Sequence, residues 1–342
     1  SPLSIVSALG MTANGAEGST RAQMEQMMHT DTAALNDYLK AYTDYMPNSE
    51  ACQVNIANSI WFRDRDSLAI DEDFLKTSRN YYDASIFEAP FDAGTRDDIN
   101  SWVKKETNGM IQKLLEEAPP RDAVMYLVNA LSFDGEWRDI YKKNQIHKGT
   151  FNAENGEHQS AEFMYSTEAV YLENTLGRGF LKPYGDGAYA FAAVLPDEGM
   201  TMKEFLERLK ENGITDLLEQ TRNKTVCVRL PKFTVEYNVV LNESLTESGM
   251  KDAFDSQKAD FSSMAHSDND NIYISKVIHK TKIDVDEKGT KAGAVTAVEV
   301  SEGSAVQTEE PKEVFLDRPF FYMIIDTRQN FPLFMGCLMQ LE

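Results

Sequence analysis

Apolar positions along the chain follow helical spacing in some stretches and strand spacing in others, with no regular alternation between the two. Leu3-Ser4-Ile5-Val6 through Leu9 and Met11 is spaced as a helix, and Asn14-Gly15 predicts its end. From Ile99 to Leu115 the residues Ile99, Trp102, Val103, Met110, Ile111, Leu114 and Leu115 fall on one side of a second helix. Pro119-Pro120 would stop it, and Gly109 is the poor helix former within it. Ala123 to Phe133, Tyr189 to Leu195 and Thr225 to Tyr237 are rich in β-branched and aromatic residues and read as strands. Asp197-Glu198-Gly199 and Pro231 punctuate them, and Met202–Leu209 and Leu241–Met250 read as short amphipathic helices between strands. At the end, Phe320 to Ile325 and Phe331 to Met339 are apolar on both faces around the turn Asp326 to Asn330, which predicts a hairpin buried on both sides. Helices and strands mix without repeated βαβ units, so the fold class is α+β. Nothing resembles a repeat or an interdomain linker, and residues 1–342 read as one domain.

Composition narrows the function classes. Apolar residues make up 42% of 342, enough for a substantial core. With 34 Lys and Arg against 55 Asp and Glu, the net charge of −21 repels phosphates. That argues against a nucleic acid or an anionic membrane as partner, and no apolar run approaches the roughly 20 residues that cross a bilayer. Cys52, Cys227 and Cys337 are far apart and odd in number, so they predict buried core thiols rather than a disulfide framework or a metal pair. The sequence opens at Ser1-Pro2 without methionine or a signal peptide, so a removed leader, together with some structure, is expected there.

No catalytic constellation is found. There is no HExxH helix, GxSxG elbow or GxxxxGK[ST] loop, and His29, His147, His158, His266 and His279 stand singly. The expectation is a protein that is not an enzyme and carries neither metal nor cofactor. Asp268-Asn269-Asp270-Asn271 looks like part of a calcium loop but lacks the following Gly and the closing Glu at the right distance. It reads as a solvated turn.

The informative stretch is Ile283 to Phe320. An alternating pattern over Ile283-Asp284-Val285 gives way to Asp286-Glu287-Lys288-Gly289, and a second alternation follows. Read as a strand, one face carries Thr290, Ala292, Ala294, Thr296, Val298 and Val300, all small or β-branched. The other carries Lys291, Gly293, Val295, Ala297, Glu299 and Ser301, with both charges. Glu302-Gly303-Ser304-Ala305-Val306-Gln307-Thr308-Glu309-Glu310-Pro311 then reads as an exposed loop. The residues alone allow either an ordinary strand and turn or a strand held in reserve.

Glu287-Lys288-Gly289-Thr290-Lys291-Ala292-Gly293-Ala294 resembles the hinge of the serpin reactive-centre loop in its inhibitory form. Six further matches follow the family's order: Ser1-Pro2-Leu3-Ser4-Ile5, Asn129-Ala130 with Gly135-Glu136-Trp137, Leu195-Pro196-Asp197-Glu198, Leu230-Pro231-Lys232-Phe233, Ala259-Asp260-Phe261-Ser262 and Asp317-Arg318-Pro319-Phe320. They end in the expected hairpin with Pro332-Leu333-Phe334-Met335-Gly336.

The resemblance implies a serpin fold of three β-sheets surrounded by about eight or nine helices, with an exposed reactive-centre loop over 287–312. The resemblance also implies a first helix that this sequence does not contain, either trimmed or naturally missing. It implies a monomeric, metastable suicide inhibitor of serine proteases. The protease cuts the loop, and the cut loop adds a strand to the central sheet before the acyl-enzyme is released. It carries over hinge roles to Glu287, Gly289, Thr290, Ala292 and Ala294, a hydrogen-bonded cluster beneath the opening sheet to Ser4, Asn129 and His279, and the aromatic at the hinge to Trp137. His279 makes a pH-sensitive opening an expectation.

The family's spacing puts the reactive bond at Gly303-Ser304, with cleavage after Ser304, Ala305 or Val306 as alternatives. No Lys or Arg lies between Lys291 and Lys312, so the expected partner is an elastase-like or subtilisin-like protease with a small pocket. Glu302 leaves room for one that prefers acidic residues. A non-inhibitory carrier or storage serpin and a cross-class inhibitor of cysteine proteases remain the alternatives. Family analogy places the protein outside the cell.

Overall fold

The computed structural model describes residues 1–64, 68–120, 123, 125–219, 221–267, 271–290 and 311–341. They fall into two compact units. The first comprises Ser1–Met46, Val54–Ser132 and Glu236–Lys282; the second comprises Pro47–Gln53, Phe133–Val235 and the described residues from Ile283 onward.

In the first unit the opening helix spans Pro2–Ala13, where the Ser1 hydroxyl caps the Ser4 N–H and Pro2 fits the first turn. Helices Gly18–Met28, Thr32–Asp44 and Glu72–Tyr82 follow. The helix expected over Ile99–Leu115 is instead Ala93–Glu106. Asp92 and Thr95 form a capping box that starts it earlier, and Asn108 and Gly109, at φ +49° and +75°, terminate it. Ile111 and Leu115 still pack with Ile99, Val103, Trp61 and Val128 in one core, but from irregular backbone. Burial on one side imitated helical spacing. The helix expected over Leu241–Met250 shortens to Asn242–Glu247.

The second unit is built on an eight-stranded sheet. Its order is Lys312–Phe315, Thr221–Pro231, His158–Glu173, Gly177–Pro183, Tyr189–Pro196, Phe320–Asp326 and Phe331–Leu338, with Ile146–Asn152 paired to His158–Glu173 beside that path. Phe205, Leu209, Leu217 and Leu218 from the helices Met202–Asn212 and Ile214–Glu219 pack on Ala192, Val194, Phe321 and Met323. In the C-terminal hairpin Phe320–Asp326 is wholly buried, as expected, but Phe331–Leu338 is an edge strand in which Met335 and Cys337 are only partly buried. All three cysteines are free, and only Cys52 is fully buried, so the expectation of three core thiols holds for one.

A six-stranded sheet runs in the order Phe233–Val240, Ile278–Val285, Gly289–Thr290, Met125–Glu136, Cys52–Arg63, Ser85–Ala89. The strand-like run over Thr225–Tyr237, read as punctuated by Pro231, is two strands, Thr221–Pro231 and Phe233–Val240, broken at Lys232 directly after that proline, which cannot donate to a ladder. Leu68–Ile70 and Ala265–Ser267 form a small two-stranded sheet in the first unit. Among the described residues there are eight α-helices.

Candidate functional site

Two groups of the expected residues assemble, one in each unit. In the second unit Ile283 and Val285 are buried and Asp284 half-buried, and the strand stops where the charges begin. The Asp286 carboxylate accepts from the N–H groups of Lys288 (2.7 Å) and Gly289 (3.1 Å), while its own N–H donates to the Gly289 carbonyl at 2.9 Å. This tight turn reverses the chain, so that Thr290 pairs antiparallel with Val285 on one side and Gly135 on the other. A Cβ at position 289 would lie 2.0 Å from the Gly135 carbonyl oxygen, so only glycine lets the backbones approach this closely.

Aromatic residues hold the turn from below. Trp137 donates from its indole to the Asp286 carbonyl and from its backbone to the Lys288 carbonyl, both at 2.8 Å; the Tyr141 N–H donates to the Glu287 carbonyl at 3.0 Å. Trp137 stacks on Tyr184 at 4.4 Å, and the Tyr184 hydroxyl shares a 2.5 Å hydrogen bond with the Thr290 hydroxyl. Burial pushes the Tyr184 hydroxyl well above its ordinary range, so it stays protonated. Lys232 lies 2.8 Å from Glu287, and this hydrogen-bonded ammonium holds the Glu287 carboxyl below the usual carboxylate range. Thus Glu287, Gly289, Thr290 and Trp137 meet at one place. Ala292, Ala294, Gly303, Ser304, Ala305 and Val306 lie outside the described residues, as do Asp268, Asn269 and Asp270.

The chain is also anchored at Lys312–Phe315. Lys312–Phe315 pairs in parallel with Val226–Arg229, and the Arg229 guanidinium lies over the rings of Phe163 (4.9 Å) and Phe315 (5.2 Å) while hydrogen-bonding Asp317. Both flanks of residues 291–310 are therefore held within the second unit.

In the first unit Ser4 donates to the Asn129 side-chain oxygen, Asn129 to Asn58 (2.6 Å), and Asn58 to the Tyr82 carbonyl (2.7 Å). Tyr82 in turn donates to Asn36 at 2.6 Å, which exchanges hydrogen bonds with Asn14. This chain of polar groups ties two strands to three helices. His279 faces the same cavity as Ser4 and Asn129, but its hydrogen bond is with the backbone nitrogen of Ser1, at 2.9 Å. Asn58, Tyr82, Tyr184 and Tyr141 were not singled out from the sequence. Among the described residues no group of three or more His, Cys, Asp or Glu side chains is placed to hold a metal ion.

Burial pulls the His279 imidazole down from 6.5 to about 4. The unfolded chain therefore takes up this proton between pH 6.5 and 4 while the folded chain does not. Folding stability is flat above that window and falls as pH drops through it, by at most about 3 kcal/mol from this group. Melting curves between pH 7 and 4.5 should fall less steeply for His279→Gln than for the unaltered protein. Parallel curves would remove His279 as the cause.

The family model for serpins, described as serine protease inhibitors, matches residues 1–341. An uncharacterized serpin-like protein of Methanosarcina mazei is 30% identical over 346 residues, covering 98% of this chain and 79% of that protein. The leukocyte elastase inhibitor of Xenopus tropicalis is 30% identical over 353 residues, covering 98% and 91%. The crystal structure of a thermophilic serpin, tengpin, in its native state superposes with a TM-score of 0.92 at 45% identity, covering all of this chain and 88% of that one.

Proposed function

The chain belongs to the serpin family, and from that premise we propose that it is a suicide inhibitor of serine proteases with small primary pockets, elastase-like in preference, that traps its acyl-enzyme by adding a loop strand to the six-stranded sheet. The observation that carries this is the hinge hairpin. Thr290 already sits as a strand residue between Ile278–Val285 and Met125–Glu136, with its side chain buried. Period-two alternation continued from Thr290 directs Ala292, Ala294, Thr296, Val298 and Val300 to the same side, and each is small enough to follow it in. A bulky or charged residue on that face would favour the carrier or storage reading; none occurs before Glu302.

The choice of target rests on the loop's chemistry. Gly303, Ser304, Ala305 and Val306 suit a small pocket, and the leukocyte elastase inhibitor among the relatives makes that pocket class a reasonable first probe. Incubation with pancreatic elastase should give a covalent band that survives SDS, with one cut after a residue in 303–306 by mass spectrometry. Cleavage without such a band is the result a carrier would give. Cleavage after Lys291 or Lys312 would overturn the assignment of the pocket.

A further inference from the structure

A pivot and a small-residue strand suffice for the trap, yet the hinge hairpin stands over an ion pair that neither requires. Lys182 is 1% exposed, on the same side of its strand as the buried Phe180 and Tyr184. Its Nζ lies 2.8 Å from Glu168 Oε1, which also accepts from the Ser166 hydroxyl at 2.6 Å; that hydroxyl shares a 3.1 Å hydrogen bond with Tyr141. The same ammonium faces the ring of Tyr141 at 4.4 Å and that of Trp137 at 5.4 Å.

Buried ion pairs are poor stabilisers, because desolvation offsets the attraction, and apolar replacements of equal size are often neutral or better. A cation between two ring faces does something an apolar side chain cannot. It fixes both rings in position and orientation. Trp137 and Tyr141 are the residues whose N–H groups hold the three successive carbonyls of Asp286, Glu287 and Lys288.

We propose that Lys182 is a positioning residue for loop insertion: fixed by Glu168, it holds Trp137 and Tyr141 so that their N–H groups keep the hinge turn aligned with the strand that must follow. Its local part rests on geometry alone, and its consequence for inhibition rests on the function proposed above. Insertion competes with release of the acyl-enzyme. A loosened turn therefore slows insertion and sends more inhibitor through as cleaved substrate, without altering the first cut.

The test compares the full chain with Lys182→Met, Lys182→Arg and Glu168→Gln. Amide hydrogen exchange of residues 137–141 in the uncut protein reads the positioning; stoichiometry of inhibition against pancreatic elastase reads the consequence. In Lys182→Met, exchange at 137–141 and the stoichiometry should each rise roughly two- to tenfold, with a lowered Tm because Glu168 is left buried without its cation; the double variant Lys182→Met with Glu168→Gln, which leaves no unpaired charge, should show the same rises with Tm nearer the unaltered protein. Lys182→Arg, whose guanidinium also pairs and stacks, should stay nearer the unaltered protein. Glu168→Gln should shift both readouts the same way, and it serves should Lys182→Met fail to fold. Unchanged exchange at 137–141, or a rise spread equally over the whole chain, would overturn the proposal. Loosened exchange in a protein that forms no covalent complex at all would uphold the positioning and refute the inhibitory function instead.

Discussion

Cutting the chain at Gly303-Ser304 is expected to raise its melting temperature by about 20 °C. A nick in an ordinary surface loop leaves stability unchanged or lowers it, so the sign alone is diagnostic. The estimate follows from what the cut releases. Beyond Thr290, which is already seated, Ala292, Ala294, Thr296, Val298 and Val300 would each gain about 1 kcal/mol on burial. Ladder hydrogen bonds on both sides add roughly 0.5–1.5 kcal/mol each. The sum is of order 10 kcal/mol, comparable with the whole stability of an ordinary domain at roughly 5–15 kcal/mol. A chain of this length converts each kcal/mol into about 2 °C.

On the proposed function the uncut chain is kept from that energy because both flanks are held. A strand continued from Thr290 to Gly303 would carry its far end about 40 Å from the hinge turn. Lys312, nine positions beyond Gly303 (312 − 303 = 9), stays paired to Val226, and nine residues reach at most about 30 Å. Equal melting temperatures before and after cleavage, by calorimetry on the same preparation, would leave no stored energy and no trap.

Legibility of the sequence followed the kind of physics involved. Wherever one local signal dictated one outcome, the expectation held: the first helix ended at Asn14, the strand Tyr189–Pro196 was found almost to the residue, and the hairpin closed around Asp326 to Asn330. The helix over Ile99–Leu115 failed because spacing reports burial rather than backbone, and Ile111 and Leu115 are buried without being helical. The turn at Asp286–Gly289 was readable because glycine has a steric reason to stand there, as the Gly135–Gly289 approach demonstrates.

The residues that complete the two clusters were harder to find, since no single position explains them. Still, two left a trace. Asn58 interrupts the apolar parity of Val54, Ile56, Ile60 and Phe62, and Lys182 interrupts that of Phe180 and Tyr184. A polar residue on the buried face of a strand must find a partner. What the sequence withheld was the partner, because Tyr82 and Glu168 come from distant segments that only folding brings near. His279 shows the converse, since it reaches the cavity of Ser4 and Asn129 without bonding to either.

On the function proposed above, Thr290→Arg should leave a chain that is cleaved as a substrate without trapping the protease. Thr290 is 1% exposed, and its hydroxyl is engaged by Tyr184, so an arginine there places a guanidinium in a closed site next to aromatic rings already facing the Lys182 ammonium. An unpaired buried charge costs several kcal/mol. An arginine does not fit that seat and would stand outside it in the uncut chain, so the cost of burying it falls on the insertion step. With insertion competing against deacylation, every 1.4 kcal/mol on its barrier is a tenfold loss, and the partition should move by at least about a hundredfold. The first cut occurs thirteen positions downstream (303 − 290 = 13) and is untouched by the change. Elastase should therefore cleave the variant at the same bond and a similar rate, while the SDS-resistant band disappears and most of the gain in melting temperature on cleavage is lost. Because Thr290 is seated even before cleavage, Ala294→Arg provides a second test on the same face, one that leaves the hinge hairpin intact. A full yield of covalent complex from both variants would mean that this face does not enter the sheet, and the small side chains from Thr290 to Val300 would then need another explanation.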